Sequence, residues 1–357
     1  MTHLELFSGI GGFRRAFDLL TQDRIMPFEC VGYSEIDLKA KLTYQTNYNV
    51  EGEIDMGDIV AFTTNRENII NLPDFDMLTG GFPCQTFSVM GSQAGFDEDR
   101  GQMFFRIMDI LQIKRPRYVL LENVKNLYSH DKGNTYARIQ RELEDLGYNV
   151  YPNIFNTVDF HLPQKRSRVI IFATTEHAPN GFKEAYTPDA VQELFDEHYQ
   201  QLGVLHYETT LDILEEHVED RYFLSETIKP TILADGSANF KSKSDINQLV
   251  ARTLTASMHK MHRACQDNYY SQDFIESRGA INHVEDYTKA QLAQLAIRKL
   301  TPQEAFMLQG FPAYFATNAQ NVGVANGALY KQAGNAVSVN TIYAILYFLI
   351  INNIIHE

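Results

Sequence analysis

His3-Leu4-Glu5-Leu6-Phe7-Ser8-Gly9-Ile10-Gly11-Gly12 opens the chain with a short apolar run that ends in a glycine cluster. The run reads as a strand over His3–Phe7. The glycines allow a tight turn and a close approach of ligand to backbone before a helical stretch at Gly11–Leu20. The same alternation continues outward. Phe28–Ser34, Asp76–Thr79, Tyr118–Leu121 and Arg168–Ala173 read as strands, and Leu38–Tyr44, Gln102–Ile113 and Thr135–Leu146 as helices. Strands alternating with helices predict an α/β fold built on a doubly wound, mostly parallel sheet. The regularity fades over residues 180–300 and returns with helices at Pro302–Gln309 and Ala336–Asn352. The chain is therefore read as one α/β domain interrupted by a smaller, irregular domain.

The 357 residues are 44% hydrophobic and 21% charged, which excludes a disordered or fibrous chain. Three cysteines, at 30, 84 and 265, are too few and too scattered for a disulfide framework or a zinc site, and they imply a reducing compartment. No metal site is expected. No charged-then-apolar leader opens the chain, so no export signal is expected. The apolar run Thr341–Ile351 is too short to span a bilayer and reads as a buried helix. The net charge of −14 weakly disfavours a nucleic-acid partner. However, residues 176–220 alone carry twelve Asp/Glu against one Lys, and the rest of the chain holds 33 acids against 30 bases. The acidity is regional and cannot veto a basic cleft elsewhere.

Glu35 follows the second strand, 23 residues past Gly12, where an acid can hold both ribose hydroxyls of a nucleoside. Gly57-Asp58-Ile59 offers a second acid at the next strand end, able to accept from an adenine amino group. Arg14 stands where a dinucleotide fingerprint wants Gly or Ala, so an adenosine ligand without a pyrophosphate fits better than NAD. Singly, these are equally well turn glycines and exposed acids; together they point to an adenosine site.

Gly80-Gly81-Phe82-Pro83-Cys84-Gln85 follows the strand Asp76–Thr79, and carboxyl ends of strands are where ligands and chemistry gather in such sheets. Cys84 is placed where a nucleophile is useful, and the polar, glycine-containing stretch 86–100 reads as a lid. Cys30, inside an apolar strand, reads as a small core residue. Glu122-Asn123-Val124 ends another strand, and a carboxyl beside a nucleophile can act as a general acid. Gln164-Lys165-Arg166-Ser167-Arg168 supplies arginines able to orient a planar polar substrate or clamp that carboxylate. Singly, a strand-end acid and a basic run are more often surface features.

These motifs, with Arg298 through Pro312 and Gln332-Ala333-Gly334-Asn335-Ala336-Val337, occur in an order that resembles the cytosine-5 DNA methyltransferases, most closely the bacterial restriction-modification type. The resemblance covers residues 1–175 and 297–357. It implies a Rossmann-like, S-adenosyl-methionine-dependent catalytic domain at 1–178 plus 320–357. A target-recognition domain at 179–319 would take in the 297–312 motif at its return.

The resemblance makes Cys84 the thiolate that adds to cytosine C6, with Glu122 acting at N3 and at the exocyclic amine. Arg168 would orient the pyrimidine, and Arg166 would be a second positive group near the cysteine. The implied contacts to S-adenosyl-methionine, with S-adenosyl-homocysteine as product, are Phe7, Gly9, Gly11, Gly12, Glu35, Ile36, Asp58, Ile59, Phe82, Pro83, Asn335 and Val337. The target base would be flipped out of duplex DNA. Gln85, Ser88, Met90 and Arg100 would contact DNA from the lid, with Met90 near the position of the gap-filling residue. In the irregular region, Arg252, Thr253, Thr255, Lys260 and Arg263 form the best contact strip, mixing small hydroxyls with cations. A monomer in the cytoplasm, without membrane association, is expected, with a cognate restriction endonuclease acting on the same site without direct contact. An RNA cytosine methyltransferase is disfavoured by the long region 180–300, an inert relative by the presence of Cys84, Glu122 and Arg168, and an NAD oxidoreductase by Arg14.

Overall fold

The first strand forms as β1 (Thr2–Leu6) and is buried on both faces. Leu4 and Leu6 enter one apolar cluster, with Ile59, Ile107, Leu111, Ile139 and Val169. His3 and Glu5 alternate with them and face the other way. There the His3 ring stacks on Phe17 at 4.2 Å, and the Tyr44 hydroxyl donates to Glu5. A strand covered on both faces is the mark of a doubly wound sheet. The computed structural model describes residues 1–83, 102–236 and 241–357.

β1 is parallel to β2 (Glu29–Tyr33) on one side and to β4 (Met77–Gly81) on the other. β3 (Ile54–Asp55) extends the sheet beyond β2, and β5 (Tyr118–Val124) beyond β4. β6 (Asn149–Asn156) and β8 (Ser167–Thr174) complete it, in the order β3-β2-β1-β4-β5-β8-β6, and β8 runs antiparallel to both neighbours. The helices are α1 (Gly12–Gln22), α2 (Leu38–Asn47), α3 (Ile59–Thr64), α4 (Arg66–Ile70), α5 (Gln102–Lys114) and α6 (Asn134–Asp145). The short β3 and the whole of β6 are additions to the strands read from the sequence. β6 contains Pro152 and many polar residues, which read poorly as a strand. It lies at the sheet edge, where a missing N–H costs no ladder bond.

The described residues pack as two units: 1–156, 167–204 and 341–357 form one, and 157–166 and 205–340 the other. The division expected from the sequence is 1–178 plus 320–357 against 179–319. The second unit holds little sheet. β7 (Gln164–Lys165) pairs with β9 (Ala251–Arg252), and β10 (Tyr269–Ser271) with β11 (Ile297–Lys299). At its centre Arg298 and Glu304, both fully buried, form a two-pronged ion pair with N–O distances of 2.9 and 2.7 Å. The Glu304 carboxylate also accepts from the amides of Thr301 and Glu215, so no charge is left unsolvated without partners.

The last helix runs Val339–Ile351, three residues later than expected, because the Ala336 backbone is extended. The stretch Asn326–Ile351 is apolar and long enough to cross a membrane, yet 78% of its most apolar window is buried inside the protein, as in a core helix. Its Tyr343 hydroxyl donates to Asp23 at 2.7 Å.

Glu5 is fully buried, and burial pushes its carboxyl up to about 8 from an ordinary 4.5, against the opposing pull of Arg14 and the Tyr44 hydroxyl. The folded chain therefore keeps a proton that the unfolded chain releases above about 4.5. Stability is greatest below that value and falls as pH rises toward 8. Urea unfolding at pH 6 and pH 8.5 should show a loss on the order of 2–3 kcal/mol from this group. Glu5→Gln should remove that part of the pH dependence.

Candidate active site

The sheet reverses its order of growth between β1 and β4, so the crevice for a ligand lies at their carboxyl ends. After β1 the chain takes a left-handed conformation at Phe7 (φ 53), Gly9 (φ 56) and Gly11 (φ 81). For Phe7 this is a strained backbone, held where its amide donates to the Ser34 hydroxyl at 3.2 Å. A Cβ on Gly9 would meet nothing within 4 Å, so the turn is open there. One on Gly11 would lie 2.5 Å from the Tyr48 ring. The Tyr48 hydroxyl donates to the Gly11 carbonyl at 2.7 Å and pins the turn. Gly12 is the buried first residue of α1. Arg14, which argued against a dinucleotide, is spent on Asp18 at 3.0 Å and Glu53 at 2.5 Å.

Glu35 follows β2 and closes back on the turn. Its carboxylate accepts from the Gly9 amide at 2.8 Å and the Asp37 amide at 2.7 Å. Burial raises its carboxyl, and these amides oppose the rise. Ile36 beside it is 69% exposed, an apolar side chain left open next to the acid. Asp58 is exposed and caps α3 by accepting from the Val60 amide at 2.9 Å. Ile59, expected with Asp58 at an adenine edge, is the first residue of α3. It is buried in the apolar core, so only its backbone is available to a ligand. An open glycine turn, an acid anchored beside it, an exposed apolar side chain and a second acid at the next strand end fit an adenosine-bearing group. Asn335, exposed at the end of helix Asn326–Asn335, and Val337 lie in the second unit.

Glu122 and Arg168 are brought together by sheet register. Arg168 on β8 stands opposite Val124 on β5, and Glu122 lies two residues back on the same face, a diagonal neighbour. Arg168 Nε donates to Glu122 Oε1 at 2.9 Å, and both side chains are mostly buried. Desolvation strengthens such a charge-assisted bond and fixes both groups. Asn123 stands in the Glu122-Asn123-Val124 motif with no role assigned from the sequence. Its amide donates to the Phe82 carbonyl at 2.8 Å and its Oδ1 accepts from the Val124 amide, tying the end of β5 to the chain leaving β4. The Phe82 ring itself is core, packed near Phe104, so its contribution to a ligand is also limited to backbone, while Pro83 is exposed. Cys84, Gln85, Ser88, Met90 and Arg100 lie outside the described residues.

Arg166, expected as a second positive group near the cysteine, lies in the second unit. It is 2% exposed and donates to the carbonyls of Leu254 at 3.1 Å, Gly334 at 3.2 Å and Ala336 at 2.8 Å, all within the second unit. The candidate DNA strip is likewise partly spoken for. Arg252 Nε donates to the Ala264 carbonyl, the Thr253 hydroxyl to the Lys165 carbonyl, and Arg263 to the Gly236 carbonyl. Thr255 shares a hydroxyl contact with Ser257, and Lys260 is exposed.

Fold and strand-end site together define a Rossmann-like methyltransferase class. The family model described as C-5 cytosine-specific DNA methylase matches residues 1–350. The chain is 35% identical over 343 residues to the type II methyltransferase M1.ScrFI of Lactococcus lactis subsp. cremoris, covering 96% of this chain and 76% of that protein. It is 34% identical over 341 residues to M.NgoBI of Neisseria gonorrhoeae, covering 96% and 90%. In fold it resembles the S. pombe Dnmt2 methyltransferase, with TM-score 0.72, 21% identity and 98% of each chain covered. The Entamoeba histolytica methyltransferase EhMeth matches with TM-score 0.73 at 18% identity, covering 100% and 99%. The chain belongs to the C-5 cytosine-specific DNA methylase family and is a DNA (cytosine-5) methyltransferase.

The two turn glycines should respond differently to a methyl group. Gly11→Ala adds a clash with Tyr48 to the left-handed strain and should cost on the order of 2 kcal/mol or more. Gly9→Ala meets open space and should cost about 1 kcal/mol from strain alone. Urea midpoints of the two variants should separate accordingly.

Proposed function

We propose that the chain methylates C5 of one cytosine within a short duplex DNA sequence, using S-adenosyl-methionine, as the protective modification enzyme of a restriction-modification system. The Glu122–Arg168 pair, at the strand end tied through Asn123 to the segment that leads into Cys84, is the observation that carries this reading. S-adenosyl-methionine, leaving as S-adenosyl-homocysteine, supplies an electrophilic methyl group. Phe7, Gly9, Gly11, Gly12, Glu35, Ile36 and Asp58, with the backbone of Ile59, Phe82 and Pro83, would hold it, and the motif resemblance adds Asn335 and Val337 as further candidate contacts.

Cytosine C5 is a weak nucleophile. The thiolate of Cys84 forms a bond to C6, the C5–C6 electron pair moves into the ring, and Glu122 donates at N3 to take up the developing charge. Glu122 also accepts from the exocyclic amine, which selects cytosine. Arg168 holds the Glu122 carboxyl in place and orients the pyrimidine. The enamine so formed is nucleophilic at C5 and takes the methyl group. Water then accepts the C5 proton, the C6–S bond breaks, and N3 returns its proton to Glu122. A base stacked in a duplex cannot reach these groups, so the nucleotide is flipped out at a cost of a few kcal/mol. By the motif resemblance, the stretch 85–100 would contact DNA through Gln85, Ser88, Met90 and Arg100 and supply the residue that fills the gap. The region 179–319 reads the sequence through Arg252, Thr253, Thr255, Lys260 and Arg263. The enzyme acts as a cytoplasmic monomer, and its partner endonuclease meets it only through the shared site.

Labelled methyl transfer to duplex DNA of many short sequences, followed by base-resolution mapping of 5-methylcytosine, tests this reading. Label should fall on one DNA motif and be absent with Cys84→Ala, which should still bind the cofactor. Label on tRNA instead would move the substrate to RNA, and activity in Cys84→Ala would remove the nucleophile assignment. Glu122→Gln should lower kcat on DNA by about 10²–10⁴-fold if the carboxyl acts at N3. A surface acid would show almost no loss.

A further inference from the structure

Three motifs that the chemistry leaves largely unused converge on the backbone of one short strip in the second unit. Gln164, fully buried on β7, accepts from the Leu254 amide through Oε1 at 2.9 Å and donates through Nε2 to the Leu308 carbonyl at 2.8 Å. Arg166, just past the end of β7, holds the Leu254 carbonyl and the Gly334 and Ala336 carbonyls beyond it. Gln309 donates to the Ala333 carbonyl at 2.7 Å. The helix so held runs against the strip so closely that a Cβ on Gly334 would lie 2.2 Å from the Thr255 carbonyl carbon.

From the other side, Asn268 brackets Arg252 as a neighbouring strand would. It accepts from the Arg252 amide at 2.8 Å and donates to the Arg252 carbonyl at 3.1 Å. The Ala251 amide is taken by the Pro163 carbonyl at 2.7 Å.

Regular pairing covers only two residues of this strip, Ala251 and Arg252. A segment of that length is not positioned by a sheet. Here side-chain amides and a guanidinium do the positioning, and they grip main-chain atoms, leaving the identity of the strip's side chains free. Reading base edges demands side chains held to a fraction of an ångström on a rigid support. A buried amide that loses its partners leaves polar groups unpaired, so such a clamp resists drift.

We infer that Gln164, Arg166 and Asn268 are positioning residues for target recognition, which set the accepted sequence by fixing the backbone of residues 251–255. The inference rests on the reading that Arg252–Thr255 meets DNA.

The test compares kcat/KM on the enzyme's own mapped site with kcat/KM on duplexes that differ from it by one base pair. Gln164→Met keeps the size of the side chain and removes both hydrogen bonds. Asn268→Asp keeps the acceptor for the Arg252 amide and loses the donor, acting from the opposite side, and it decides the matter if Gln164→Met does not fold. Each should lower the ratio of cognate to substituted activity by about tenfold or more, the scale of one mismatch. kcat at saturating cognate DNA should stay within about threefold on the same argument. A proportional loss on all duplexes, with the ratio unchanged, would mean that the clamp is merely structural and overturn the inference. Thr255→Val and Lys260→Ala probe the strip directly. If they shift the ratio while the clamp variants do not, the inference falls and the reading of the strip stands. If none of the four shifts it, the reading falls and takes the inference with it.

Discussion

A strand buried on both faces can offer chemistry only at its ends, and most of the first unit follows from that constraint. β1 has helices against each face and strands on each side, so its first accessible backbone is the turn at Phe7–Gly12. The same holds in turn for Ser34–Ile36 after β2, Asp58 after β3, Phe82–Pro83 after β4 and Glu122–Asn123 at the end of β5. Five parallel strand ends thus bring together residues that are up to 116 positions apart, from Phe7 to Asn123. Glycine with positive φ is used where the chain must turn at once, as at Gly11 under Tyr48.

The single antiparallel strand adds what the parallel ones cannot. β8 enters the sheet from the opposite direction and so delivers its first residues to the carboxyl end of β5. Register then places the Arg168 cation diagonally beside the Glu122 carboxylate. A parallel strand in that slot would have presented its last residues there instead. Two positions earlier, and in the other unit, Arg166 grips carbonyls. One short stretch of chain therefore supplies a residue that pairs with a mostly buried carboxylate and a residue that grips main-chain carbonyls. The second unit holds the same kind of device, where buried Arg298 meets Glu304 through both terminal guanidinium nitrogens and Glu304 also accepts from two amides.

Much of this was legible in the residues. Periodicity located the central strands and the main helices, because apolar runs and 3.6-residue spacing reflect burial directly. Motif order pointed to the family, to Glu122 and to the two arginines of the basic run as candidates. β6 was not legible, since an edge strand with Pro152 lacks the apolar signature of a central one. The Asn123 link to Phe82 was not legible either. An asparagine beside a strand-end acid has no spacing that reveals which distant carbonyl it will meet.

The sequence by itself determined the α/β class, the glycine turn, the order of the motifs and the residue types available for chemistry, because these depend on local pattern and composition. Only the tertiary structure decided which of two similar arginines faces the carboxylate. Arg166 and Arg168 lie two residues apart in one basic run and are indistinguishable by composition. Strand register and unit packing send one to Glu122 and the other to buried carbonyls. Side-chain partners separated by tens or hundreds of residues are chosen by register and packing, which no local pattern encodes.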